Sequence, residues 1–201
     1  MKHKSIYFSS LCIVAALLLS QCQNNNQPRV ESLATANYGG YESAEQWGEH
    51  LVTVSACHDC HSPKKMTPNG PEIDSALLLS GHPSQMPDIG VDRKEMEQKG
   101  LGVTQDQTSW VGPWGISYTA NLTSDASGIG NWTEGQFIYA IRNGKSKGME
   151  NSRTLLPPMP WQMYRNFSDN ELKAIFAYLK STKPIRNIVP APKPPVTAGT
   201  Q

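Results

Sequence analysis

The first hydrophobic feature of the chain is a mostly apolar run from Ile6 to Leu19. It follows a basic start at Lys2 and Lys4 and precedes a strongly polar stretch, Gln21 to Gln27. A membrane-spanning helix needs about 20 apolar residues, so this run of 14 reads as an export signal over residues 1–21 rather than a span. Residues 22–40 lack hydrophobic periodicity and read as a flexible tether. Three amphipathic helices follow. Ala44, Trp47, Leu51, Val54 and His58 recur at spacings of three and four behind the N-cap candidate Ser43, and this helix is expected to run straight on past residue 58. Thr133-Glu134-Gly135-Gln136 fits a capping box ahead of Phe137, Ile138 and Ile141, with Asn143-Gly144 as the stop. Ser168-Asp169-Asn170-Glu171 fits a second box ahead of Leu172, Ile175, Phe176 and Leu179, and Pro184 ends that helix.

Between the first two helices, residues 62–132 hold six prolines and read as long loops with short helices at 73–79 and 93–99. Residues 184–201 hold five prolines and no periodicity, and read as an extended, mobile, Pro-rich disordered tail. The folded domain is therefore expected over residues 41–183.

Composition narrows the function classes. The 201 residues are 38% hydrophobic with a formal net charge of +1, which suits one folded domain. No basic excess exists for nucleic-acid binding. Removing residues 1–21, with their two lysines and no acid, leaves 180 residues with 16 basic and 17 acidic side chains, net −1. The segment Leu19-Ser20-Gln21-Cys22 resembles a bacterial lipoprotein cleavage box. The resemblance implies that Cys22 becomes the first mature residue, carries lipid, and anchors an exported domain on the periplasmic side of a bacterial membrane.

The remaining cysteines define a chemistry. Cys12 leaves with the signal, so Cys57 and Cys60 remain, in Cys57-His58-Asp59-Cys60-His61. C-x-x-C-H is the attachment pattern of c-type haem. Residues i and i+3 share a helix face, so both thiols can bond one haem while the next residue, His61, offers its imidazole to the iron. A thioredoxin-like pair would need a βαβ setting, and a zinc site would need four ligands; a chance match is the third alternative. One motif means one covalent haem c per chain. Candidates for the opposite iron position are His50, His58, His82 and the methionines Met66, Met86, Met96, Met149, Met159 and Met163. Met159 is favoured, because Leu155-Leu156-Pro157-Pro158-Met159-Pro160-Trp161 is a stiff presentation and Met/His ligation raises the potential. Met86 is the nearest rival and His82 the next. Buried Trp and Tyr seek partners for their polar hydrogens, so Trp110, Trp114, Tyr118 and Trp132 are candidates to meet a haem propionate.

Together these segments resemble class I cytochrome c, and more narrowly the mono-haem cytochromes and cytochrome subunits of bacterial periplasmic dehydrogenases. The motifs are Gly48-Glu49-His50-Leu51-Val52, the C-x-x-C-H, Asn121-Leu122-Thr123-Ser124-Asp125 with Gly128-Ile129-Gly130-Asn131-Trp132-Thr133, Pro158-Met159-Pro160-Trp161, and the closing helix. The resemblance implies an all-α domain of three to five helices. Its first and last helices would cross at Gly48, with haem held between His61 and Met159 under long covering loops. It also singles out Trp132 as the possible propionate contact. It further implies an electron carrier rather than an enzyme, with a periplasmic dehydrogenase as donor and an oxidase or another cytochrome as acceptor. The alternative is a haem enzyme or ligand sensor with a displaceable sixth ligand.

Overall fold

The computed structural model describes residues 37–196. The apolar run, Cys12, Cys22 and the tether up to residue 36 lie outside the described residues, as do residues 197–201.

Helix α1 spans Ala44–Val54 and starts where the Ser43 hydroxyl accepts from Gln46 N at 3.2 Å. It does not run on past residue 58. Ala56 takes the left-handed conformation at φ 56°, and a separate short helix α2, Cys57–His61, follows. The turn at Ala56 explains why the apolar stripe read from the sequence fails at its end. Val54 is 62% exposed, whereas His61 is 9% exposed.

Helix α6, Asp169–Ser181, packs across α1. A Cβ built on Gly48 would lie 2.0 Å from Ala174 O and 2.7 Å from Tyr178 Cβ, so only glycine allows this approach. Leu51 and Val52 of α1 and Leu172, Ile175 and Leu179 of α6 form the centre of the core. Phe137 and Ile141 of α4, Glu134–Asn143, close it, and the Phe137 and Phe176 rings meet at 5.4 Å. Both capping boxes form: Gln136 and Glu171 each return a side-chain oxygen to the backbone N–H of the N-cap residue. A single turn, α5 (Trp161–Tyr164), precedes α6.

The all-α expectation with loops over residues 62–132 is corrected here. Strands β1 (Lys64–Thr67) and β2 (Gly70–Ile73) form one antiparallel hairpin. Strands β3 (Ser109–Gly112) and β4 (Gly115–Tyr118) form a second. Each turn is a Pro-containing dipeptide followed by a glycine at positive φ, Gly70 at 111° and Gly115 at 93°, a backbone that glycine takes without steric cost. Helix α3, Arg93–Lys99, falls where a short helix is expected. The segment around residues 73–79 gives only a 3₁₀ turn, Ser75–Leu77. The described residues thus hold six α-helices, more than the three to five expected.

The tail is also corrected over its described part. Residues 184–196 lie against the domain rather than free of it. Ile116 and Lys193 exchange both backbone hydrogen bonds, at 2.9 and 3.0 Å. The Lys193 ammonium bonds to Asp88, and Val196 N donates to Glu97 Oε1 at 3.1 Å. Proline suits this segment because the backbone N–H groups that anchor it belong to Ile185, Asn187, Lys193 and Val196, so the prolines between them give up none of these bonds.

Two glycine substitutions separate close packing from helix propensity. Gly135→Ala, where the new Cβ meets nothing nearer than 4.0 Å, should raise stability by up to about 1 kcal/mol. Gly48→Ala gains the same propensity but forces α1 and α6 apart, and should lower stability by about 1–3 kcal/mol. Denaturant unfolding of both variants checks the opposite signs.

Candidate functional site

The left-handed turn at Ala56 aims α2 inward, which buries His61. Its Nδ1 lies 2.8 Å from the Ala120 carbonyl. A carbonyl only accepts, so Nδ1 carries the proton and Nε2 keeps its lone pair open. Burial holds the imidazole pKa below its usual value, with the Ala120 bond opposing. His61 is therefore a neutral, oriented imidazole of the kind that can serve as a nitrogen ligand.

Two features hold Ala120 in place. Leu122 N donates to Leu79 O at 2.8 Å, and His82 N donates to Thr119 O at 3.0 Å, so segments 79–82 and 119–122 run antiparallel. Gly81 N then donates to His61 O at 2.8 Å. Gly81 stands at φ 76°, and a Cβ there would lie 2.6 Å from Thr119 O and from the Ala120 carbonyl carbon.

Cys57 and Cys60 are unpaired thiols. Cys57 packs against the core, and burial pushes its pKa up to about 11. Cys60 is raised for the same reason. Cys60 opens onto a cleft of about 300 Å³, lined also by Ala56, Asp59, Gln107, Trp110, Pro158, Pro160 and Tyr164. The cleft thus joins the C-x-x-C-H turn to the two prolines flanking Met159. A second cavity of about 360 Å³ shares Asp59 and Gln107 and reaches the β1–β2 hairpin at Pro71 and Ile73.

The Met159 segment is pinned on three sides. Leu155 N donates to Gly144 O at 2.7 Å. The Ser117 hydroxyl of β4 donates to Pro157 O at 2.6 Å. The Tyr164 hydroxyl donates to Ser55 O at 2.6 Å, tying α5 to the turn before Cys57. Met159 is half-buried against the core, whereas Met66, Met86, Met149 and Met163 are exposed, Met66 at 82%.

The other expected residues separate. Trp132 packs against the core and does not line the cleft. Trp110 lines the cleft, and its indole N–H is buried without a protein acceptor. His82 is fully buried, with Nδ1 2.8 Å from the Thr108 hydroxyl. The Thr108 hydroxyl in turn donates to Asp106, so His82 Nδ1 is the donor to Thr108. His50 is exposed and pairs with the Tyr41 ring at 5.2 Å. Among the described residues no three His, Cys, Asp or Glu side chains gather as a metal-ion cluster.

This arrangement fits a covalent haem c on observations of the chain itself. The thiols are free, and the histidine that follows them is oriented with Nε2 open. The cleft separates them from the methionine segment. The orphaned Trp110 N–H faces a desolvation cost of about 1–3 kcal/mol that a carboxylate acceptor would remove.

No protein-family model matches the chain. Curated proteins do match locally. The cytochrome c subunit of gluconate 2-dehydrogenase from Pantoea cypripedii is 40% identical over 67 residues, covering 33% of this chain and 14% of that protein. The cytochrome subunit of fructose dehydrogenase from Gluconobacter japonicus is 37% identical over 84 residues, 40% of this chain and 16% of the relative. A nicotinate dehydrogenase polypeptide from Pseudomonas putida is 39% identical over 80 residues, 39% of this chain and 6% of the relative. The chain is similar to cytochrome subunits of bacterial dehydrogenases. It spans no more than 16% of the length of these relatives.

Several contributors to the site escape sequence reasoning. Ala120 acts through its carbonyl, which no side-chain pattern reports. Ser117 sits on a hairpin whose turn, Gly112-Pro113-Trp114-Gly115, is readable as a turn signal, as is Thr67-Pro68-Asn69-Gly70 in the other hairpin. The Tyr164 tether leaves no sequence mark. Tyr164→Phe should leave the Ser55 carbonyl without its tyrosine donor and lower stability by about 1–2 kcal/mol. Proteolysis between residues 155 and 165 should accelerate with it, and urea unfolding together with limited digestion measures both.

Proposed function

We propose that this chain is a mono-haem c-type cytochrome that carries single electrons between redox proteins. The observation that carries the reading is His61. It is buried and holds Nδ1–H on Ala120 O at 2.8 Å, directly after two free thiols at attachment spacing. Cys57 and Cys60 bind the haem through thioethers, His61 is one axial ligand, and Met159 is the other. When bound, a haem c supplies a one-electron iron couple. The protein's own residues hold it rigid: Ala120 orients the histidine, and Ser117, Gly144 and Tyr164 hold the methionine segment. Trp110 is assigned the propionate contact in preference to Trp132, since its N–H is the buried donor in need of an acceptor.

The local likeness to dehydrogenase cytochrome subunits supports a dehydrogenase as electron donor, and an oxidase or further cytochrome as acceptor. The N-terminal pattern supports export and a lipid anchor at Cys22 on the periplasmic side. With both axial positions filled by protein, the chain is a carrier and not a catalyst.

The protein from an exporting host competent for cytochrome maturation should keep haem stain through denaturing electrophoresis, and Cys57→Ser with Cys60→Ser should lose it. The oxidised protein should show a methionine–iron charge-transfer band that Met159→Ala abolishes. Survival of the band in that variant would move the ligand to Met86 or another methionine. Rapid carbon monoxide binding by the unmutated reduced protein would overturn the carrier reading in favour of a ligand sensor.

A further inference from the structure

The segment after α6 closes over the backbone that orients His61. Asn187 is its hub. The Asn187 amide donates to Ser80 O at 2.7 Å and to His82 O at 2.9 Å. Its Oδ1 accepts from Ser84 N at 3.1 Å. Its backbone N–H donates to the Ser127 hydroxyl at 2.9 Å. Two residues earlier, Ile185 O accepts from Asn121 Nδ2 at 2.8 Å. One side chain therefore grips the segment that carries Gly81, and the adjoining backbone grips the loop that carries Ala120. These two pieces supply the groups that bond to the His61 backbone and ring.

We propose that residues 184–196 form a strap whose Asn187 is a positioning residue for the axial histidine. The proposal rests on the cytochrome reading above. The logic is geometric. Segments 79–82 and 119–122 meet through two backbone bonds, at Leu79 and His82, with β3 and β4 continuing on one side only. A pair of segments this short is weak alone in water. The Asn187 amide adds bonds to one of the two from outside the pair, at the Ser80 and His82 carbonyls that the pairing leaves free, and the neighbouring Ile185 carbonyl holds the other through the Asn121 amide. The second anchor, Lys193 on Ile116 and Asp88, fixes the strap's far end. Holding Ala120 O against Nδ1–H keeps the imidazole strongly basic toward the metal, the role that such an outer hydrogen bond plays in ligand histidines. A stronger nitrogen donor favours the oxidised iron. Loosening the strap should weaken that donation and raise the midpoint potential.

The test uses the full chain with haem attached. Asn187→Ala should bind haem normally by its pyridine haemochrome spectrum and show an upward shift of midpoint potential. Exchange of the His61 Nδ1 proton, read by NMR of the reduced protein, should become about tenfold faster, the change expected from losing one or two hydrogen bonds that hold the opening closed. Asn187→Asp keeps the acceptor for Ser84 but sets a carboxylate against two carbonyls, and should shift the potential at least as far. Thr133→Ala removes the N-cap bond on α4 and serves as an equally destabilised control whose potential and exchange stay fixed. If Asn187→Ala lowers the unfolding midpoint yet leaves the potential and the proton exchange at wild-type values, the strap is a brace without influence on the histidine and the proposal fails. If Asn187→Ala does not accumulate, Lys193→Ala carries the same readouts, and unchanged values overturn the proposal. Absence of covalent haem in the unmutated protein instead removes the cytochrome reading beneath it.

Discussion

The hydrogen bond from His61 to the Ala120 carbonyl constrains much of this molecule. It joins groups 59 residues apart and requires that a loop carbonyl be brought to a buried ring with no tolerance for drift. The chain meets the requirement with backbone rather than side chains. Segment 79–82 pairs with 119–122, Gly81 packs flat against Ala120 because no Cβ intervenes, and Gly81 N closes on the carbonyl of His61 itself. The same residue is thus held at ring and main chain by two neighbouring segments. The crossing of α1 and α6 at Gly48 supplies the rigid floor on which α2 turns inward at Ala56.

What the sequence makes legible follows its periodicities. The closing helix and the Thr133 helix are readable because each combines a capping box with apolar spacing that buries Leu172, Ile175 and Leu179, or Phe137 and Ile141. The C-x-x-C-H is readable because its spacing is dictated by chemistry. What escapes has physical reasons. The break at Ala56 is a single left-handed residue within an uninterrupted apolar pattern, and alanine gives no warning of it. The two hairpins have strands of four residues, too short for alternation to stand out against prolines. The strap has no apolar periodicity because polar Asn187 shares its half-buried positions with Ile185 and Val189, and much of its hold comes from Asn187, Lys193 and backbone bonds. Family likeness favours Trp132 over Trp110, and the unpartnered indole that distinguishes them is a property of the folded backbone.

The likeness to dehydrogenase cytochrome subunits is confined to about a third to two-fifths of the chain, and this sequence adds its own architecture. The β3–β4 hairpin contributes Ser117 to the methionine segment and Trp110 to the cleft. It also accepts Lys193 along the outer edge of β4. A single hairpin therefore touches three otherwise separate pieces: the site, the loop opposite α2, and the downstream strap. Its two strands bury Val111 and Ile116, which gives it a small apolar anchor independent of the helical core.

The position of Asn187 in the chain has a consequence for how the molecule is made. Its bonds reach back 107 residues to Ser80 and 105 to His82, so they are among the most distant contacts in sequence, the kind that slows folding relative to local structure. Helices α1 and α2 emerge early, with the cysteines and the histidine, while the loops around them still lack their outer tie. The surroundings of His61 are complete only once the chain through residue 187 has arrived. During synthesis, Cys57, Cys60 and His61 therefore pass through an interval in which the segments around them lack that tie. The wall behind the histidine is finished afterwards, so the order of the sequence sets an order of assembly.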